Sequence, residues 1–327
     1  MDYWGTDEAT LKLLKHLGCS SLWEMYSRLH LDPVVRVEPE YVGPRLAPDT
    51  DMYQCGHRDA DYGDGVYSEC VSNPLAQYGS VEEIEKNYTW PSADWFDYSV
   101  IPGQIKGKEQ YPIRGGGSEP FLVYKKLRGQ GQAMADLVLN PEIVHYCLRN
   151  LFDFCYENTV RIYEAAPDKV MITYVAEDFG AQEDLMYSPG HIREFLLPEM
   201  KRMIDLAHQA GAYVFHHDDG AVRKIVPDMI SAGIDILNPI QWRCNGMDRE
   251  GLKRDFGDDV VFHGGVDNQN TLPFGTVQEV RQEVADNIGI LGDGGGYILA
   301  PCHNIQTVSP PENVVAMYEA GLEYGWT

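Results

Sequence analysis

The sequence contains no run of about 18 apolar residues, the length that a membrane-spanning helix requires. Its N-terminus, MDYWGTDEAT, has neither the basic start nor the apolar core of a secretory signal peptide. The seven cysteines include no CxxC pair, which argues against a disulfide framework and against a zinc knuckle. These absences predict a cytoplasmic protein with no membrane partner.

Basic residues are also scarce, because 26 lysines and arginines stand against 50 aspartates and glutamates, for a formal net charge of -24. Such a charge repels phosphate backbones, so we expect no nucleic-acid partner. A solubilising surface is the simplest interpretation of this acidity. The 327 residues with 44% hydrophobic content are enough to bury a large core.

The second half of the sequence alternates short apolar segments with amphipathic stretches, a pattern typical of strands and helices in turn. The predicted strands are residues 170–176, 213–216, 234–238, 260–263 and 297–300. The predicted helices are residues 141–166, 189–209, 221–232, 249–256, 277–291 and 311–323. Strands that alternate with helices pair in parallel, which predicts an α/β fold.

Two α/β architectures have this pattern, the doubly wound sheet and the (β/α)8 TIM barrel. The barrel is favoured, because no GxGxxG phosphate loop is present and polar residues end every predicted strand. The glycine triplets at 115–117 and 294–296 are interpreted as turns. We therefore predict a single domain over residues 1–327, elaborated in its N-terminal half by loops between residues 31 and 120.

The segment FHHDDG at 215–220 is the sharpest signal at a strand end. Because side chains alternate along a strand, His217 and Asp219 share one face, while His216 and Asp218 share the other. Two histidines and two carboxylates at a barrel mouth suit metal binding, proton transfer or the binding of a polar substrate. A structural alternative is that one of the aspartates caps the next helix.

Two further segments supply candidate catalytic side chains. Glu177 and Asp178 follow an apolar strand, where a carboxylate pair is costly unless it is solvated, paired or bound to a cation. His303 follows the last strand and is expected to face His217 across the barrel. Its neighbour Cys302 is a weaker candidate, since an isolated cysteine is usually a small core residue.

Amide, imidazole and carboxylate groups at the other strand ends are candidates for orienting a polar substrate. For each of them a turn or capping role is the alternative. The predicted substrate-binding residues are Gln182, Asn238, Gln241, His263, Asp267 and Gln269.

Several segments together resemble the uroporphyrinogen decarboxylase superfamily. They are EDFGAQ (177–182), FHHDDG (215–220), ILNPIQ (236–241), FHGGVDNQ (262–269), PFGT (273–276) and YILAPCHNIQTVSPPENVVAMYEA (297–320). The resemblance implies a (β/α)8 barrel, commonly dimeric, of the kind found in the heme-pathway decarboxylase and in methyltransferases that serve corrinoid proteins. The true decarboxylases carry an arginine-rich loop after their first strand, whereas the first arginine here is Arg28, so the methyltransferase-like branch fits better. Against this family, the chain is expected to begin inside the first strand.

The corrinoid-type methyltransferases hold zinc with His-x-Cys after strand five and a distant cysteine after strand eight. This sequence has His217 and Asp219 at the first motif and His303 at the second. The resemblance therefore implies a site for Zn²⁺ or another divalent metal at these three residues, with Cys302 and Glu177 as weaker ligands. The loss of both thiolates removes the softest donors, so the identity of the metal stays open.

The working hypothesis is methyl transfer from a small methylated donor to a corrinoid protein or another acceptor, assisted by the metal. The first alternative is a metal-free decarboxylase or lyase that uses His303 and Asp178 as proton donor and acceptor. A binding protein whose catalytic residues have decayed is the second alternative. Homodimer formation is expected from the resemblance alone.

Overall fold

A computed structural model describes residues 1–61, 63 and 65–325 of the chain. The strands are β1 (Val35–Val37), β2 (Glu40–Tyr41), β3 (Gly56–Asp61), β4 (Val66–Ser72), β5 (Phe96–Asp97), β6 (Ile113–Ser118), β7 (Ile172–Val175), β8 (Tyr213–His217), β9 (Ile236–Asn238), β10 (Val261–Val266) and β11 (Tyr297–Pro301).

Helices alternate with the later strands. They are α1 (Asp7–Leu17), α2 (Leu22–Arg28), α3 (Val81–Asn87), α4 (Ile101–Ile105), α5 (Pro120–Arg128), α6 (Gln130–Leu139), α7 (Pro141–Ala165), α8 (Pro189–His191), α9 (Leu197–Gln209), α10 (Val226–Ala232), α11 (Arg249–Phe256), α12 (Thr271–Phe274), α13 (Val277–Leu291) and α14 (Pro311–Tyr324). A π-helical turn (Ile192–Leu196) joins α8 to α9, so the predicted helix 189–209 is continuous.

The main sheet has seven strands in the order β1-β6-β7-β8-β9-β10-β11. The pairs β1–β6, β6–β7, β8–β9, β9–β10 and β10–β11 are all parallel. Two antiparallel pairs, β2–β5 and β3–β4, lie outside this sheet in the N-terminal half. The predicted α/β class with parallel strands is confirmed.

The chain divides into two compact units that alternate along the sequence. The first comprises Met1–Val34, Phe179–Met186 and the chain from Phe215 onward, and the second comprises Val35–Asp178 and Tyr187–Val214. In the first unit, buried residues of α1 and α2 form one apolar cluster with those of β10, β11, α13 and α14. That cluster includes Leu299 of β11, the strand that ends two residues before His303.

Two local expectations differ from the structure. The helix predicted at 221–232 begins only at Val226, because the chain turns between Gly220, which has a left-handed φ of 92°, and the start of the helix. Residues 115–117 lie within strand β6 and do not form a turn. Gly5 forms a parallel bridge with Ile305 just before α1, and the expectation that the chain begins inside the first strand stays a prediction.

The glycines of β6 are explained by packing in the second unit. A Cβ atom on Gly115 would lie 2.8 Å from Cγ2 of Val37 and 3.0 Å from Cγ2 of Ile162. Helix α7 therefore packs against the strand at a distance that leaves no space for a side chain at this position.

No helix in the described part of the chain is long and apolar enough to cross a bilayer.

Candidate metal centre

Three side chains of the first unit converge at the ends of two strands. His217 is the last residue of β8, Asp219 follows it by two residues, and His303 comes two residues after β11. The Nε2 atoms of His217 and His303 lie 3.8 Å and 3.7 Å from the same carboxylate oxygen, Oδ2 of Asp219. The ligand atoms of all three lie within 4.8 Å of one another. This set is called the His/Asp/His cluster below.

Backbone geometry and one amide place Asp219 in the cluster. Gln241 accepts a hydrogen bond from the Gly220 N–H at 2.7 Å and donates one to Oδ1 of Asp219 at 3.2 Å. A Cβ atom at Gly220 would lie 2.6 Å from the carbonyl oxygen of Ala181, so only glycine allows the loop to approach this closely. The second oxygen, Oδ2, is then directed between the two imidazole rings.

Each cluster histidine is oriented by an asparagine. Nδ1 of His217 lies 2.6 Å from Oδ1 of Asn238, and Nδ1 of His303 is hydrogen-bonded to Oδ1 of Asn304. An amide oxygen is only an acceptor, so both rings carry their proton on Nδ1 when they are neutral. Nε2 is then the nitrogen that each ring presents toward Asp219.

The cluster fits a divalent metal in its donor chemistry. Two imidazole nitrogens and one carboxylate oxygen match the three protein ligands of catalytic zinc sites, where a fourth position stays open. Ligands about 2.0–2.1 Å from a tetrahedral zinc lie roughly 3.3 Å from each other. The separations of 3.7 Å and 3.8 Å need to close by only a few tenths of an ångström.

Trp4 forms an aromatic wall beside the cluster. Its ring centroid lies 4.5 Å from that of His303 and 5.9 Å from that of His217. A backbone hydrogen bond fixes its position, because the Ile305 N–H donates to the Trp4 carbonyl at 2.9 Å. No sequence pattern indicated this residue, because the N-terminal segment has no periodicity that predicts where it docks.

Cys302 lies outside the cluster, although it precedes His303. Its side chain is buried, and its thiol donates to the Ile240 carbonyl at 3.1 Å. Burial raises the pKa of the Cys302 thiol well above its usual value, so the sulfur keeps its proton. A protonated thiol turned toward a carbonyl is a core group, and the metal cluster does not include it.

Glu177 and Asp178 belong to the second unit. Oε1 of Glu177 accepts a hydrogen bond from the Phe121 N–H at 2.7 Å, and only 1% of the residue is exposed. Burial raises the pKa of the Glu177 carboxyl well above its usual value despite this hydrogen bond. Burial therefore favours the protonated form of Glu177, and the metal cluster includes neither carboxylate.

The predicted substrate-binding residues divide into four groups. Asn238 and Gln241 hold cluster residues, as described above. His263 is buried behind Asn238, whose Nδ2 lies 2.7 Å from its Nδ1. Asp267 caps the turn before α12, because its oxygens accept from the N–H groups of Gln269 and Thr271 at 2.9 Å and 3.2 Å.

Gln182 and Gln269 are exposed loop residues. The thiol of Cys244 donates to Oε1 of Gln182 at 3.5 Å. Gln269 donates its backbone N–H to Asp267, and a substrate role for both glutamines stays a prediction.

A parallel sheet with a His/Asp/His cluster at its strand ends is typical of barrel-type α/β folds, which carry their reactive groups at that end of the strands. A methyltransferase from Methanosarcina mazei has a similar structure, with a TM-score of 0.67 and 19% identity, over 98% of this chain and 92% of that one. The likeness confirms the predicted (β/α)8 barrel class.

The family follows from the sequence itself. Residues 104–324 match the family described as uroporphyrinogen decarboxylase (URO-D). The chain therefore belongs to the uroporphyrinogen decarboxylase family, a family of enzymes.

Curated relatives are distant. The uroporphyrinogen decarboxylase of Psychromonas ingrahamii is 25% identical over 224 residues, which are 65% of this chain and 56% of that enzyme. That of Pseudoalteromonas translucida is 26% identical over 288 residues, 80% of this chain and 74% of the enzyme. The chain thus spans little more than half the length of the first of these relatives.

Proposed function

We propose that the protein is a methyltransferase that moves a methyl group from a small methylated donor to a corrinoid carried by a partner protein, or to another acceptor. The observation that carries the proposal is the His/Asp/His cluster, which has the donor set of a catalytic zinc site. The likeness to a methyltransferase of the same fold supports it. A metal held there would act as a Lewis acid on the heteroatom of the donor or acceptor.

The roles of the chain's own residues follow from their contacts. His217, Asp219 and His303 would hold the metal, and Gln241 would keep the Asp219 carboxylate turned toward both rings. Trp4, which is 42% exposed, would form one wall for the methyl donor. In the transfer, the methyl carbon bonds to the acceptor while its bond to the donor heteroatom breaks, and the electron pair leaves with the heteroatom.

Metal content is the first test. We expect the chelator-stripped protein to rebind Zn²⁺ to about one equivalent, as a three-ligand site requires, measured by mass spectrometry after desalting. The His217→Ala variant should lose this metal, whereas His16→Ala, a half-exposed histidine of α1, should keep it. Less than about one tenth of an equivalent in the wild type, with no difference in His217→Ala, would exclude the site.

Turnover is the second test. Free cob(I)alamin serves as the acceptor, and panels of methoxylated, methylamine and methylthio compounds serve as donors. We expect the absorption spectrum of methylcobalamin to appear with at least one donor class, and to fail to appear with Asp219→Ala. Formation of methylcobalamin at the same rate in both proteins would contradict the proposal.

A second candidate, a decarboxylase, is favoured by a cavity within the second unit and by the activity of the curated relatives. The cavity has a volume of about 590 Å³ and is lined by Arg36, Arg114 and Lys126 together with Glu38 and Glu119. Arg114 stacks on the ring of Tyr174 at 4.2 Å. Cationic groups in a basic-poor chain suit a carboxylate ligand.

The two candidates give opposite results in one assay. A decarboxylase releases CO₂ from a carboxylated substrate whether or not the protein has been treated with chelator. Arg114→Gln should then raise KM for the carboxylated substrate, because it removes a cationic group that would bind the substrate carboxylate. We expect instead that CO₂ release stays at background and that methyl transfer depends on metal.

A further inference from the structure

A chain of hydrogen bonds runs from Asp2 to the metal cluster. Oδ2 of Asp2 lies 3.1 Å from Nε2 of His263. Nδ1 of His263 lies 2.7 Å from Nδ2 of Asn238, and Oδ1 of Asn238 lies 2.6 Å from Nδ1 of His217. All four residues belong to the first unit. We call this series the Asp2 relay.

The donor and acceptor at each hydrogen bond of the relay determine which ring nitrogen of each histidine carries the proton. A carboxylate is only an acceptor, so His263 donates from Nε2, and in the neutral ring its Nδ1 is then an acceptor. Asn238 must meet that acceptor with its NH₂ group and must turn its carbonyl oxygen toward His217. His217 therefore carries its proton on Nδ1 and presents the lone pair of Nε2 to the cluster.

The reverse arrangement shows why the carboxylate matters. If the group at position 2 donated to Nε2 of His263, the proton of His263 would move to Nδ1. Asn238 would turn over, its NH₂ would donate to Nδ1 of His217, and His217 would carry its proton on Nε2. That tautomer has no lone pair on the nitrogen that faces Asp219, so it does not bind a metal there.

The inner part of the relay is shielded and its far end is anchored. His217, Asn238 and His263 are at most 6% exposed, so solvent does not compete for the hydrogen bonds among them, whereas the side chain of Asp2 is 31% exposed. Asp2 is held by its backbone, because its N–H donates to the Leu299 carbonyl at 3.1 Å and its carbonyl accepts from the Tyr318 hydroxyl at 3.0 Å.

We infer that Asp2, His263 and Asn238 are positioning residues that select the Nδ1–H tautomer of His217. The tautomer itself does not depend on the proposed function, whereas its effect on metal affinity rests on it. Hydrogen bonds to the ring nitrogen that does not bind the metal orient metal-binding histidines and raise their basicity. Here two side chains, those of His263 and Asn238, separate the orienting carboxylate of Asp2 from His217.

The tautomer is measured directly in the metal-free protein. Nitrogen NMR of ¹⁵N-histidine-labelled protein distinguishes Nδ1–H from Nε2–H, and His217→Gln and His263→Gln assign the signals. We expect Nδ1–H for His217 and Nε2–H for His263. An Nε2–H signal for His217 would overturn the inference.

A reciprocal exchange tests the direction of the relay. In Asp2→Asn, the amide at position 2 donates as readily as it accepts, so His217 should show a mixture of tautomers. Adding Asn238→Asp should restore Nδ1–H, because the new carboxylate accepts from both histidines while the amide at position 2 donates to Nε2 of His263. Unchanged His217 signals in Asp2→Asn, or no restoration in the double variant, would contradict the relay.

Controls separate the relay from docking of the N-terminal segment. Asp32→Asn weakens the ion pair with the Met1 amine, 2.8 Å long, without touching the relay, and should leave the tautomer of His217 unchanged. His263→Phe interrupts the relay but leaves the hydrogen bonds of the Asp2 backbone with Leu299 and Tyr318 in place, and should give the same mixture as Asp2→Asn. Circular dichroism confirms that each variant is folded before its spectrum is compared.

Metal affinity provides the functional readout. We expect the dissociation constant for Co²⁺ to rise about tenfold in Asp2→Asn and to recover in the double variant, as is typical of second-shell changes. The ligand-field spectrum of bound Co²⁺ should keep its tetrahedral form. If wild-type His217 is Nδ1–H and no Co²⁺ binds, the proposed metal function fails while the relay stands. Unchanged affinity in Asp2→Asn would remove the relay's role in metal binding.

Discussion

The side-chain amide of Gln241 makes two hydrogen bonds next to the Asp219–Gly220 peptide bond. Its oxygen accepts from the Gly220 N–H, and its NH₂ group donates to Oδ1 of Asp219. One amide thus sets the direction of the only carboxylate in the described metal cluster. Strand β9 and the turn after it supply this residue as well as Asn238, so a single strand end orients two of the three cluster residues.

Removal of that amide should weaken metal binding. In Gln241→Leu, we expect the Zn²⁺ dissociation constant to rise by about tenfold to a hundredfold, because Asp219 loses its second-shell donor. Competition with a chromophoric chelator gives the constant. Gln282→Leu, on the outer surface of α13, is the matched control and should bind Zn²⁺ as the wild type does. Equal affinities in the two variants would show that Asp219 needs no such support.

Trp4 should report metal binding by fluorescence. Its ring is 4.5 Å from His303, so Co²⁺ bound at the cluster should quench its emission, although the chain has six tryptophans. Trp4→Phe should lose most of the quenching while keeping its Co²⁺ affinity. Trp23→Phe, which removes a tryptophan of similar exposure on α2, should quench like the wild type. Full quenching in Trp4→Phe would place the bound ion elsewhere.

Cys302 should prove dispensable for the metal. Because its thiol is protonated and bonded to a carbonyl, we expect Cys302→Ala to bind Zn²⁺ with unchanged stoichiometry and affinity. The substitution should instead lower the free energy of unfolding by about 1 kcal/mol, as is typical of a small buried truncation, and thermal unfolding measures this loss. A loss of bound Zn²⁺ in this variant would put sulfur back among the ligands.

Glu177→Gln should stabilise the protein in a pH-dependent way. Because its folded-state pKa is raised, Glu177 takes up a proton on folding at pH values between its unfolded pKa, about 4.3, and its higher folded pKa. Its contribution to stability is therefore fully present below that pH and falls by about 1.4 kcal/mol per pH unit above it, until the folded pKa is reached. The advantage of the variant should grow with pH and disappear near pH 4.

Urea unfolding at several pH values measures this difference. Glu164→Gln, on the exposed side of α7, is the matched control for the substitution. A stability difference that stays constant with pH would mean that Glu177 is ionised in the folded protein. The same variant should keep its metal, since the His/Asp/His cluster does not include Glu177.

The buried ion pair of Arg128 with Asp136 should dominate the stability of the second unit. The Nε–Oδ2 distance is 2.7 Å, and the two side chains are 3% and 0% exposed. Asp136 also accepts from Tyr124, Gln132 and Asn140. We expect Asp136→Ala to cost about 3–5 kcal/mol, because it leaves a buried guanidinium without its partner.

Denaturant unfolding checks this value. Asp205→Ala, which breaks an exposed pair with Lys201 on α9, should cost far less. Comparable losses in the two variants would show that Arg128 finds other acceptors; its contacts with the carbonyls of Leu75 and Tyr78 are candidates.

Alternation along one strand placed His217 and Asp219 on the same face, and the family resemblance selected this pair together with His303 as candidate metal ligands. His217 and Asp219 share a face because they are two positions apart, and His303 follows a strand of the same parallel sheet. The direction of an amide at a strand end cannot be read in this way. The amide of Asn238 bonds to two histidines, which the sequence does not predict, and its role in substrate binding stays a prediction.

The contributions of Asp2 and Trp4 were not predictable, for a related reason. Their positions depend on where the N-terminal segment docks, which is set by backbone pairing of Gly5 with Ile305 and not by any apolar period. Gly115 shows the same limitation in the second unit. Glycine has a weak preference for strands, but Ile162 lies so close to this position that a larger side chain would not fit.

The sequence separation of these partners sets an order of events during synthesis. Asp2 meets a residue 261 positions later, and Trp4 stacks on His303. Asp2 and Trp4 therefore reach these partners only after residues 263 and 303 have been synthesised. Until then Trp4 lacks the ring contact with His303 that the folded protein provides.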